Sequence, residues 1–105
     1  MAAQRDQRIE TEIARAAGEW IAREGNRTSL LTVTRVTLSD DGNYATLLIS
    51  VLPESQEAQA FSFLKRNLGE IRRYLGDNSK IGRLPTLSVE IDKGEKNRAA
   101  VEALV

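Results

Sequence analysis

The chain contains no cysteine and no histidine. Without cysteine there can be no disulfide and no thiolate metal site, which fits a reducing cytoplasm. Without histidine the commonest general base and the commonest metal ligand are both missing. No apolar run approaches the roughly 20 residues that a membrane-spanning helix needs. The opening stretch Met1 to Asp6 has no apolar signal core and merges into a helical pattern. These absences predict a soluble, cytoplasmic protein with no membrane partner. There is also no internal repeat, low-complexity tract or linker. At 105 residues, residues 1–105 therefore form a single domain, since two independent cores would not fit.

Net charge is zero, with 15 basic and 15 acidic residues. At face value that argues against a nucleic-acid partner. The distribution says otherwise. Residues 61–84 carry Lys65, Arg66, Arg72, Arg73, Lys80 and Arg83 against only Glu70 and Asp77. The rest of the chain holds the compensating acid. A local basic surface on a neutral protein can bind a phosphate backbone without binding nucleic acid indiscriminately.

Hydrophobic spacing locates the elements. Ile9, Ile13, Ala16, Ala17, Trp20 and Ile21 recur at helical intervals between Asp6 and Glu24. Trp20 lies on that stripe and reads as a core anchor. Gly25-Asn26 is expected to close the helix as a left-handed cap. Leu30 to Ser39 is rich in β-branched residues and reads as a strand whose alternation slips between Val33 and Val36, as a bulge near Thr34-Arg35, or two-sided burial at the start of the strand, would cause. Asp40-Asp41-Gly42-Asn43 is a hairpin signal. The two aspartates read as a solvated turn, because no further oxygen ligand is spaced to make a cation site with them. Ala45, Leu47, Ile49 and Val51 then alternate through a second strand.

Pro53 ends that strand, and Ser55 is a plausible N-cap for the next helix. Phe61, Leu64, Leu68, Ile71 and Leu75 form one helical face from about Gln56 to Leu75, with Gly76 as its expected cap. Gly69 lies inside this helix, where it costs roughly 1 kcal/mol relative to alanine; close packing or a break into two helices would account for it. After a polar connection from Asp77 to Leu84, Leu87, Val89 and Ile91 alternate in a third strand following Pro85. Asp92-Lys93-Gly94-Glu95 resembles a capping box opening a short C-terminal helix that includes Ala99, Val101 and Leu104. Three strands with helices on one face make an α+β sandwich.

An enzyme needs a nucleophile with a base, a carboxylate pair in a cleft, or metal ligands. None is visible, and there is no glycine-rich phosphate loop. No catalytic residue, metal, cofactor or small-molecule substrate is therefore expected. The basic set is the strongest functional signal. Arginine grips phosphate with a planar fork, and both basic residue types release counterions when they bind it. Spacing alone leaves phosphate binding and a solvated helix face equally open.

Several segments together resemble the ribosome-binding factor A family. Leu31-Thr32-Val33-Thr34-Arg35-Val36-Thr37-Leu38-Ser39-Asp40 is similar to its first-strand signature. Ala45-Thr46-Leu47-Leu48-Ile49-Ser50-Val51-Leu52 is similar to its second. Gly69-Glu70-Ile71-Arg72-Arg73-Tyr74-Leu75 resembles its Gly-Phe-Ile-Arg-x-x-Leu segment. The strand from Pro85 to Asp92 resembles its Pro-x-x-x-Phe-x-x-Asp run. The likeness spans roughly residues 5–104 in the family's order. It implies a type II KH-like αββααβ domain and no enzymatic activity. It further implies a monomer that binds the small (30S) ribosomal subunit during late maturation of 16S rRNA, especially in the cold.

In place of the usual KH Gly-x-x-Gly loop the family has an Ala-x-Gly kink between its second and third helices, here Asn67-Leu68-Gly69, with the glycine kept and the alanine replaced. The family's two basic residues before the proline correspond to Lys80 and Arg83, the second displaced by one position. The resemblance thus implies RNA binding by Lys65, Arg66, Asn67, Gly69, Arg72, Arg73, Lys80 and Arg83. Two rival readings share this build: a protein-interaction module, and a KH-type binder of some other structured RNA. Steep salt dependence would separate RNA from protein partners.

Overall fold

The computed structural model describes residues 2–25 and 29–94, with side chains from Gln7 onward. The element order is α1 (Ala2–Glu24), β1 (Leu30–Leu38), β2 (Tyr44–Leu52), a 3-10 turn (Glu54–Gln56), α2 (Glu57–Arg66), α3 (Leu68–Asn78) and β3 (Thr86–Ile91). The sheet runs β1-β2-β3. β1 pairs antiparallel with β2, whereas β3 lies parallel to β2. A parallel neighbour needs a crossover, and α2 and α3 supply it. The expected C-terminal helix falls almost wholly outside the described residues.

One face of the sheet carries the core. Ala45, Leu47, Ile49 and Val51 of β2 are buried, with Val36 of β1 and Leu87 and Val89 of β3 beside them. Ile13, Ala16, Ala17, Trp20 and Ile21 of α1 close over them together with Ala60, Leu64, Ile71 and Leu75 of α2 and α3. Burial of this apolar face contributes roughly 25 cal/mol per Å² removed from water. No polar side chain is buried among the described residues. Trp20 is the expected anchor, its ring centroid 5.7 Å from that of Phe63.

The slip in β1 is a bulge. Val33 pairs with Ile49 and Arg35 with Leu48, leaving Thr34 as the additional residue. That extra residue returns Val36 and Leu38 to the face that Leu31 and Val33 already share, which is why the alternation changes phase without exposing the strand. The hairpin turn is held by Asp41, whose Oδ1 accepts hydrogen bonds from Ser39 Oγ at 2.7 Å and Asn43 N at 3.0 Å. These bonds, that from Ser39 foremost, hold the Asp41 carboxyl below its ordinary pKa. Gly42 takes φ +74°, the left-handed conformation that glycine adopts without steric cost.

Three helix boundaries differ from their expected form. Gly25 is not left-handed, since Gly42 is the positive-φ glycine of the described chain. Its amide donates to Ile21 O at 2.7 Å. A Cβ there would lie 2.6 Å from that same oxygen, so close approach, not φ, requires the glycine. Asn26 lies outside the described residues. Ser55 is not an N-cap: it sits inside the 3-10 turn, and Gln56 takes the cap position of α2 without a side-chain bond. Gly76 is not a C-cap either. The helix continues two residues further to Asn78, and Ser79 closes it by donating from Oγ to Leu75 O at 2.6 Å.

Candidate nucleic-acid interface

The stripe from Phe61 to Leu75 is divided between two helices, and the break lies at Asn67. This residue has φ −109° and ψ 12°, in the sparsely populated bridge between helix and strand conformations. Its backbone amide donates to Leu64 O at 3.0 Å, while its carbonyl accepts from Ile71 N at 2.9 Å. Its side-chain Nδ2 donates to Phe63 O at 2.8 Å. Asparagine suits this position because its short amide offers the backbone a local alternative to helical bonding. Gly69 follows in the first turn of α3, exposed, with open space where a Cβ would stand.

The break fixes where the basic side chains emerge. Lys65 and Arg66 occupy the last turn of α2 and are exposed; cations there are favoured by the negative end of the helix dipole. The Lys65 ammonium lies 6.0 Å from the centre of the Phe61 ring, so its stem runs along apolar surface while the charge stays in water. Arg73 is exposed on α3. Lys80 and Arg83 are exposed on the loop between α3 and β3, flanking the half-buried Ile81, which packs against the core. The charges of Arg15 and Lys80 both help hold the Glu12 carboxyl below its usual pKa, after the larger effect of the Arg15 hydrogen bond.

Two of the eight expected residues have other work. Asn67 is the joint itself, its amide nitrogen engaged on Phe63. Arg72, although exposed, donates from Nε to Pro85 O at 2.9 Å and from Nη2 to Leu84 O at 3.0 Å. These residues are thereby brought onto two helices and one loop. An open groove of about 750 Å³ adjoins this surface at Phe61, the ring beside the Lys65 ammonium, and is lined also by Thr34, Arg35, Leu48, Glu90, Ile91 and Asp92 to Gly94. Its Arg35 and Lys93 were not among the expected residues: Lys93 adjoins Asp92 in the sequence, and Arg35 is a lone cation on β1, so neither stood out as part of a basic run. Among the described residues no group of three or more acidic side chains is placed to hold a metal ion. What the α2–α3 surface offers chemically is cation-rich, donor-rich binding of anions.

The αββααβ order, the mixed three-stranded sheet and the bent pair of helices define a type II KH-like domain. Comparison with known proteins narrows the class. Residues 5–105 match the family model described as ribosome-binding factor A. The ribosome-binding factor A of Lacticaseibacillus casei is 30% identical over 103 residues, covering 93% of this chain and 87% of the relative. The crystal structure of ribosome-binding factor A from Thermus thermophilus is similar with a TM-score of 0.73 and 28% identity, covering 82% of this chain and 94% of that one. Similar too, with a TM-score of 0.71, 28% identity and coverage of 82% and 93%, is a homology model of the Thermus thermophilus factor fitted into a cryo-EM map of its complex with the 30S subunit. The chain belongs to the ribosome-binding factor A family.

Proposed function

We propose that this protein is a ribosome-assembly factor that binds the small (30S) subunit through 16S rRNA and assists late maturation of that RNA, with its largest contribution in the cold. The observation that supports this most is the exposed cationic surface at the α2–α3 bend, carried on the fold of a relative that has been placed on the 30S subunit. Lys65, Arg66, Arg73, Lys80 and Arg83 bind phosphate. Asn67 sets the bend, and Gly69 leaves the surface beside it open to a close approach. The protein acts as a cytoplasmic monomer, without cofactor and without catalysing a reaction: it stabilises one arrangement of the RNA by binding it. No helix of the described residues is long and apolar enough to cross a membrane, which fits this role.

The test is selective association. Purified protein should co-sediment with free small subunits and poorly with large subunits or assembled ribosomes. Equal sedimentation with all three, or with none, would contradict the proposal.

A further inference from the structure

We propose that Arg72 is a positioning residue: it clamps the α3–β3 loop so that Lys80 and Arg83 meet the RNA already ordered, and it does not itself bind phosphate. This rests on the function proposed above and divides the basic surface into cations that bind and one that holds.

The geometry is that of a forked clamp. Arg72 stands on α3, and its Nε and Nη2 reach two successive carbonyls, those of Pro85 and Leu84, at 2.9 and 3.0 Å. Successive carbonyls suit a guanidinium because its donors have fixed spacing in one plane; an ammonium cannot reproduce that fork. One turn further along α3, a Cβ at Gly76 would lie 3.2 Å from Leu84 Cδ1, so the same stretch of loop packs closely on the same helix. Pro85 is fully buried, and immediately beyond it Thr86 N donates to Asn43 O at 2.8 Å, where β3 begins. At the other end of the loop, Ser79 Oγ donates to Leu75 O and lies 3.5 Å from Ile81 N. Lys80 and Arg83 therefore sit between two anchors, and Arg72 supplies the directional part of the second.

A cation on a slack loop can still find phosphate, but binding must then order the loop as well. Releasing the clamp should weaken binding without reducing the number of phosphates contacted. This distinguishes Arg72 from its neighbour Arg73, since removing a true phosphate contact lowers the slope of log affinity against log salt by about one.

Binding to purified small subunits across a salt series, with Arg72→Lys, Arg72→Met and Arg73→Met, tests this. Tryptic cleavage of the free proteins after Lys80 and Arg83, mapped by mass spectrometry, provides a second readout, since cleavage follows local opening of the loop. Arg72→Lys keeps the charge but should bind about tenfold more weakly at every salt concentration, with the slope unchanged. Both Arg72 variants should be cut about tenfold faster at Lys80 and Arg83. Arg73→Met should lose about one unit of slope and be cut at the wild-type rate. The inference is overturned if Arg72→Lys matches the wild type in affinity and cleavage, or if Arg72→Met loses a unit of slope with no change in cleavage. A wild type whose binding ignores salt would overturn the RNA reading itself, and the cleavage rates alone would then say whether Arg72 holds the loop.

Discussion

Two helical regions of this protein carry similar numbers of basic residues and use them differently. On α1, Arg15 lies between Glu12 at 2.9 Å and Glu19 at 2.8 Å, one turn away on either side, and also donates to Asn78 O at 2.8 Å. Arg23 lies over the Tyr74 ring, whose hydroxyl donates to Glu19. At Arg15 and Arg23 the charge is answered within the fold, and these contacts fasten α1 to α3. From Phe61 on α2, through α3 and into the loop that follows as far as Leu84, the chain holds six basic residues and two acidic ones, so pairing with neighbouring acids cannot answer most of the charge. The proposed RNA surface lies where pairing stops. The lesson is one of arrangement: at zero net charge, the spacing of acids decides which cations remain available to a partner.

The largest expected effect sharpens that contrast by reversing equal charge on both sides. Arg66→Glu with Arg73→Glu should weaken small-subunit binding at least about a hundredfold, since two phosphate contacts become repulsions. Stability should fall by no more than about 1 kcal/mol, most of it from acid placed at the C-terminus of α2. Arg8→Glu with Arg23→Glu on α1 should leave affinity within about threefold, because charges away from the interface are screened over roughly 8 Å. Equal losses from the two pairs would show that overall charge, and not the α2–α3 surface, governs binding.

A smaller effect is expected at Gly69. Its φ is not left-handed and a Cβ there meets open space, so Gly69→Ala should raise stability by about 0.4–1 kcal/mol through the unfolded chain. A melt that moves down would contradict this geometry. Because the bend is centred on Asn67, loss of affinity in this variant would report a methyl group at the RNA surface and not a straightened helix.

The smallest effect concerns acid. Asp41 and Glu12 have depressed pKa values in the folded protein, each chiefly through a hydrogen bond from a neighbour, Ser39 and Arg15 respectively. Their contribution is present above the ordinary carboxylate range and is lost as pH falls through and below it. Both groups are exposed, so the change should be slight. Asp41→Asn should flatten part of the acid limb of a melting-temperature profile, and an unchanged limb would show that the turn bonds do not contribute.

Much of this fold is legible in the sequence, and the exceptions share a cause. Alternation locates the three strands, and a phase slip at Thr34-Arg35 reveals the bulge because an extra residue is the economical way to keep Val33 and Val36 on one face. The helix break is different. Phe61, Leu64, Leu68, Ile71 and Leu75 continue in phase across it, so periodicity carries no mark of the joint at Asn67 and draws attention to Gly69 instead. Gly25, Ser55 and Gly76 mislead in a related way: each residue type suits a cap, but close approach at Ile21 O, a 3-10 turn after Pro53 and packing of Leu84 decide otherwise.

The site was legible as charge and not as division of labour. Arg72 and Arg73 are alike in sequence, and only the return of Leu84 and Pro85 onto α3 separates the clamp from the exposed cation.

On the function proposed above, exposed cations on α2, α3 and the following loop hold RNA by its phosphates. Equilibrium binding of the wild-type protein to purified small subunits across a salt series decides whether they do. With Lys65, Arg66, Arg73, Lys80 and Arg83 in contact, log affinity should fall linearly with log salt, with a slope of roughly −3.5 to −4.5, at about 0.7–0.9 per phosphate. A flat line, with tight binding retained at high salt, would contradict the claim.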